Sequence, residues 1–206
     1  MPKSRPRLKI IRRFGVQLPG LTRKSAEKKP YPPGAHGQSK TGRRKTSEFR
    51  RLLEEKQKVR FNYGVSEGQL RRYLALARKL PGRTGDNLLG VLERRLDNVV
   101  FRMGFAVTIP AARQLVSHGN IRVNGKKVDR PGFLADSGDV VAVAPGKTRE
   151  RVSLIENVER GPQLRLPSYL AIDPADKFSG RVIGTPMKGD VPFPVNSAAL
   201  VEFYAR

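Results

Sequence analysis

The chain has no cysteine among its 206 residues, which excludes disulfides and thiolate metal sites and permits a reducing compartment. Histidine occurs twice, at His36 and His118, too far apart for metal-ligand spacing, so zinc has little support. No apolar run reaches the roughly 18 residues of a membrane span. The start, MPKSRPRLKIIRRF, is basic but lacks an apolar core segment and a small-residue cleavage site, so no secretory signal is expected. Catalytic motifs are missing too. Gly146-Lys147-Thr148 has the ending of a phosphate-cradling loop, but the first glycine of that motif would fall at Val141. No G-x-S-x-G nucleophile turn occurs. Acidic residues are scarce: 18 Asp and Glu face 41 Lys and Arg, for a formal net charge of +23. Self-repulsion on that scale makes a polyanion the natural partner, and the expectation is a soluble cytoplasmic protein.

The charge is unevenly placed. Residues 1–60 hold 19 Lys and Arg against 4 Asp and Glu, a net +15 of the +23. A basic arm beside better-balanced modules is a nucleic-acid pattern. Residues 1–45 are rich in Lys, Arg, Pro and Gly, with the run YPPGAHG at 31–37. They read as ordered loop rather than helix, or as an arm that folds only on binding.

Helical spacing begins near Ser47 in EFRRLLEEKQKVRFNY. A second helix follows Ser66, with Gln69 completing a capping box and Leu70, Leu74, Ala77 and Leu80 as its stripe; Pro81-Gly82 ends it. A third is expected from about Asn87 to Met103, with Leu89, Leu92, Leu96, Val100 and Met103 on one face. Arg94, Arg95 and Arg102 fall on its far and flanking side. Thr108 caps a short fourth helix with Pro110 in its first turn and Gly119 past its end. Ile121 and Val123 alternate with Arg122 as in a strand, and Asn124-Gly125 predicts a type I′ hairpin turn. Asp139–Val143 reads as a further strand. Short strands are expected at Val152–Ile155 and Arg181–Ile183, and either helix or strand at Ala198–Tyr204.

The run from Arg94 to Val143, RRLDNVVFRMGFAVTIPAARQLVSHGNIRVNGKKVDRPGFLADSGDVVAV, closely resembles a small RNA-binding module of several translation-related families. With YPPGAHG, EEKQKVRFNYGVSEGQLRRY and PVNSAALVEFYAR, nearly the whole chain resembles the family of the fourth protein of the bacterial small ribosomal subunit. Agreement is weakest at residues 1–30 and 145–190. The resemblance implies an α+β fold: a mostly helical N-terminal domain plus a module of two helices packed on a short, mostly antiparallel sheet. The expected divisions are a basic segment at 1–45, a helical domain at 46–90 joined by 197–206, and an RNA-binding domain at 91–196 with its core module at about 94–157.

The family further implies binding to small-subunit (16S) ribosomal RNA, nucleation of subunit-body assembly, and an influence on translational accuracy. The implied neighbours are the fifth small-subunit protein, the twelfth as a further candidate, and messenger RNA near its entry channel. No membrane partner, homo-oligomer, cofactor or enzymatic activity is expected. Arg113, His118, Asn120, Arg122, Lys126 and Lys127 are expected to form one contact surface, since Arg suits phosphate and base recognition on A-form RNA. Arg94, Arg95 and Arg102 flank it. A second surface is expected from Arg5, Arg7, Lys9, Arg12, Arg13 and His36, continuing through Arg43, Arg44, Lys45, Arg50, Arg51 and Arg60 to Tyr63, Arg71 and Arg72.

Two rivals carry the same module. In a pseudouridine synthase a catalytic aspartate sits in a Gly-Arg-Leu-Asp run, which Arg95-Leu96-Asp97 resembles, but Arg94 stands in place of the glycine. A ribosome-associated heat-shock protein is opposed by the matching flanks. One departure from the ribosomal family is informative: many members bind zinc through an N-terminal cysteine cluster, and this chain has none. Metal analysis of the purified protein should find no stoichiometric zinc, and one zinc per chain would refute the metal-free reading.

Overall fold

A computed structural model describes residues 6–35, 37 and 47–205. Along them run α1 (Arg7–Phe14), α2 (Glu48–Tyr63), α3 (Glu67–Ala77), α4 (Thr84–Glu93), α5 (Leu96–Arg102), α6 (Ile109–Ser117), β1 (Ile121–Val123), β2 (Lys126–Lys127) and β3 (Val140–Val143). Then follow α7 (Val152–Arg160), β4 (Leu170–Ile172), β5 (Ser179–Val182), a single 3-10 turn at Lys188–Asp190, and α8 (Ser197–Ala205). The class is α+β, as expected. The strands form one antiparallel sheet in the order β2-β1-β3-β5-β4.

Local chemistry accounts for most of these elements. The Ser47 hydroxyl accepts from the Arg50 amide and opens α2. Ser66 and Gln69 exchange the reciprocal bonds of a capping box at the start of α3. Thr108 accepts from the Ala111 amide, and Pro110 occupies the first turn of α6. Asn124 and Gly125 adopt φ of 50° and 78°, the left-handed pair that a type I′ turn requires. The Asn124 side chain then fixes the hairpin to the rest of the sheet. Its Oδ1 accepts from the Val140 amide at 2.9 Å and its Nδ2 donates to Asp139 at 2.7 Å.

Three expectations are corrected. Residues 7–14 are helical rather than loop: Pro6 precedes the first turn, Ile10 and Ile11 are buried, and Gly15 closes the helix at φ 63°. The single helix expected over 87–103 is two, because Arg95 is extended (ψ 135°) between α4 and α5. Tertiary hydrogen bonds take the backbone groups there. Leu96 N donates to Phe133 O, Asp97 N to Pro131 O, and Ala135 N to Arg94 O. Val152–Ile155 forms the first turn of α7 rather than a strand, with Leu154 buried and Val158 packed on the core one turn later.

Helix α3 packs on α4 and α5 on α6, while α8 returns from the far end of the chain onto α2 and α4. One hydrophobic cluster runs from Ile10 and Leu18 through these helices to Val141 and Val182 in the sheet. Inside it lies Glu93, fully buried. Tyr63 of α2 donates its hydroxyl to this carboxylate, Tyr169 donates at 2.8 Å, and Asn98 Nδ2 at 2.9 Å. Arg102 Nε lies 3.5 Å away. A buried carboxylate is tolerable only when satisfied in this way.

Burial, and then the adjacent Glu93 carboxylate, push the Tyr63 and Tyr169 hydroxyls well above the ordinary 10.0. An unfolded tyrosine loses its proton near that value while the folded one keeps it. Their stabilisation is therefore complete below pH 10 and is lost as pH rises through the folded values. The melting temperature should fall above about pH 10. In a Tyr63→Phe, Tyr169→Phe variant, less stable at neutral pH because Glu93 loses two donors, the alkaline fall should be shallower. Equal alkaline slopes in circular-dichroism melts would rule these phenols out as its source.

Candidate nucleic-acid interface

The start of α5 holds the densest charge cluster. Asp97 is fully buried, and Arg95, 1% exposed, grips it twice, Nε to Oδ1 at 3.0 Å and Nη2 to Oδ2 at 2.6 Å. Arg95 also donates to the Tyr73 hydroxyl. Burial alone would loosen the Arg95 proton, but Asp97 outweighs it and the guanidinium is held charged. Arg113 of α6 reaches the same carboxylate, Nη2 to Oδ2 at 2.7 Å, and donates to the carbonyls of Gly64 at 2.8 Å and Tyr63 at 3.2 Å. This arginine ties α6 to the end of α2.

These contacts correct part of the expected surface. Arg95 and Arg102 are buried, Arg102 beside Glu93 and donating to the Asp190 carbonyl, so neither meets a ligand outside. Tyr63 is buried against Glu93 for the same reason. Asn120 is 8% exposed, and Arg113 shows only the part of its side chain that Asp97 leaves free. Arg94 is half-turned inward, bonded to Asp136 and to the Ala135 carbonyl at 3.0 Å. Expected residues Arg5, His36, Arg43, Arg44 and Lys45 lie outside the described residues.

What remains outside is narrower. His118, at the end of α6, is exposed, and so are Arg122, Lys126 and Lys127 of the hairpin. Arg122 stands directly opposite Lys127 in the β1–β2 register. Like charges in that position repel. Among the described residues no carboxylate pairs with Arg122, Lys126 or Lys127. Gly119, at φ 70°, brings the end of α6 against β2, where a Cβ would collide with the Lys127 side chain. The result is a fixed strip of cations on the outer edge of the sheet.

The N-terminal cations are not brought into one cluster. On α1, Arg7, Lys9 and Arg13 face outward, whereas Arg12 stacks on Tyr31 at 4.7 Å and donates Nε to its carbonyl at 3.0 Å. On α2, Arg51 is exposed, Arg50 pairs with Glu54 at 3.0 Å, and Arg60 is half-buried. Arg71 and Arg72 are exposed on α3. Glu67, which begins α3, has its carboxyl lowered: burial raises it, but hydrogen bonds from Tyr204 and Lys56 outweigh that. The exposed Arg130 and Arg151 were not among the expected contacts. Arg151 stands at the start of α7, and reading that segment as a strand concealed it.

The fully buried Asp97 also bears on catalysis. Two guanidiniums occupy its oxygens, so it is no poised nucleophile. Among the described residues no group of three or more His, Cys, Asp and Glu could hold a metal, and no helix is long and apolar enough to cross a membrane.

Comparison with known proteins covers nearly the whole chain. Residues 3–93 match the ribosomal protein S4/S9 N-terminal domain, and residues 94–141 match the S4 domain. The chain is 51% identical over 202 residues to small ribosomal subunit protein uS4 of Thermosynechococcus vestitus, spanning 98% of this chain and 96% of that one. To a Synechococcus uS4 it is 52% identical over 202 residues, with the same shares covered. To uS4B of Nitrosomonas europaea it is 48% identical over 201 residues, again spanning 98% and 96%.

The geometry separates cations that hold the fold from cations free to bind. Arg95→Ala should destabilise by about 3–5 kcal/mol in urea unfolding, because Asp97 stays buried with one partner gone. Arg122→Ala should stay within about 0.5 kcal/mol of the parent. Equal effects of the two would contradict this division.

Proposed function

The chain belongs to the small ribosomal subunit protein uS4 family, and we propose that it holds small-subunit (16S) ribosomal RNA early and nucleates assembly of the subunit body. It is a structural component of the small ribosomal subunit that binds ribosomal RNA. Relatives matched over 98% of the chain support this over the heat-shock reading, which shares the module alone.

The observation that carries the mechanism is the unpaired strip of Arg122, Lys126 and Lys127 on a rigid hairpin, with His118 at the end of α6. A-form RNA hides its base edges, so proteins grip it through phosphates, 2′-hydroxyls and unstacked bases. Fixed cations suit that grip. The exposed arginines and lysine of α1, with Arg51, Arg71 and Arg72, supply further separate points of attachment, and these with the hairpin can clamp a junction of several RNA helices. We read residues 46–90 with 197–206 as a helical unit and 91–196 as the RNA-binding unit, with α8 packed on α2 and α4 in support. The role is binding rather than catalysis, since both buried carboxylates have internal partners. Contacts with the fifth and twelfth small-subunit proteins, with messenger RNA near its entry, and an effect on accuracy complete the proposal.

Affinity for 16S ribosomal RNA in filter binding should fall steeply with salt. For duplex DNA, about 6–10 phosphate contacts lose roughly 10³–10⁵ in affinity between 50 and 200 mM. Arg122→Ala, Lys126→Ala, Lys127→Ala together should lower the salt slope by about one per phosphate contact removed. A flat salt profile for the parent would end the electrostatic clamp.

A further inference from the structure

Beside the hairpin, a groove runs between α6 and α7. Leu115 and Leu154 line it with apolar surface, and Gln114, His118, Asn120 and Arg151 add polar groups. Asn120 Oδ1 accepts from the Thr148 hydroxyl at 3.1 Å. Its Nδ2 is buried and has no partner. A buried donor left unmatched is rare and destabilising in a native protein, which points to an acceptor supplied from outside.

One end of the groove is anion-seeking. Helix α7 has nine residues, no side-chain cap and no acidic residue in its first turn. The Val152 and Ser153 amides have no partner within the helix and present a partial positive charge, while Leu154 N already donates to the Arg151 carbonyl at 2.9 Å. Arg151 stands at the capping position, exposed and without an ion pair among the described residues. An apolar slot lined by an amide side chain, with a phosphate-type site at its mouth, matches a base and its phosphate.

We propose that this groove takes one unstacked nucleotide of the bound RNA. Its base lies between Leu115 and Leu154 with an edge acceptor on Asn120 Nδ2, and its phosphate sits at the start of α7 beside Arg151. Side-chain amides read base edges in this way, and protein side chains hold bases splayed from single-stranded RNA. The proposal rests on the RNA-binding reading above and adds a base-reading contact to its backbone grip. A peptide occupant would leave the anion site at α7 without a role.

The test uses the full chain bound to transcribed 16S ribosomal RNA, probed base by base with dimethyl sulfate and carbodiimide. Ser153 lines the groove from its exposed rim, so Ser153→Trp fills it without entering the core. An unpaired base protected by the parent protein should become reactive with Ser153→Trp. Affinity should fall about fivefold to a hundredfold, the worth of one stacked base, while the rest of the footprint persists. An unchanged base pattern overturns the proposal. If Ser153→Trp fails to fold, photo-crosslinking of the parent to 4-thiouridine RNA decides. Nucleotide attached to residues 114–120 or 151–157 supports the groove. Attachment confined to the hairpin, or a crosslink from the groove to another protein in assembled subunits, overturns it. A parent protein that leaves no footprint refutes the RNA-binding reading itself, an outcome distinct from a footprint that ignores the groove.

Discussion

Two carboxylates shut away from water, Glu93 and Asp97, govern how this chain is put together. They lie four residues apart, on either side of the break between α4 and α5. A charge in the interior is costly unless partners surround it, and here the partners come from distant parts of the chain. Tyr63 from α2 and Tyr169 from the segment before β4 meet at Glu93. Arg95 and Arg113 meet at Asp97, and Arg113 passes on to the carbonyls that end α2. The angle of α5, the seat of α6 and the docking of both on the N-terminal helices are thereby coupled. Such a network does little to raise net stability, since an apolar core of equal shape would serve as well. Its effect is to make alternative arrangements costly, because each would strand a charge.

That internal use of arginine decides what the surface can do. On the α4–α5 flank, Arg95 and Arg102 point inward, and Arg94 is half engaged with Asp136. The cations free to meet a polyanion include those on the hairpin and on the outer faces of α1, α2 and α3, with Arg130 and Arg151 beyond them. The large positive charge of the chain is thus divided into a structural share and a binding share.

Much of the fold was legible because its signals are local. Ser47, Ser66 with Gln69, Thr108 with Pro110, and Asn124-Gly125 each act on backbone groups a few residues away, and each did so where expected. The break at Arg94–Arg95 was not legible. Its cause is a set of hydrogen bonds to residues 131–135, which no window around the helix contains. For the same reason, Arg95 and Arg102 read as part of the RNA-contact flank when Asp97 and Glu93 in fact hold them inside. Helix α7 was missed because four residues of mixed polarity fit either period, and only Val158, one turn beyond Leu154, distinguishes them. The module was recognisable as a whole, but which of its cations face outward depended on partners that sequence spacing does not reveal.

The hairpin shows why rigidity matters for a ligand read by shape. Arg122 and Lys127 stand in register and repel, and in a loose loop they would separate. They cannot separate here, because the type I′ turn and the Asn124 side chain, bonded to Asp139 and Val140, fix β2 on β1 and β1 on β3. The fold therefore holds these charges together against their own repulsion. A phosphate backbone docking there, as proposed, would relieve that repulsion, so part of the attraction would be built in before contact. Flexible lysines of the same number would first have to be ordered, which opposes binding. The gain from preorganisation depends on the turn and the Asn124 clasp as much as on the cations themselves.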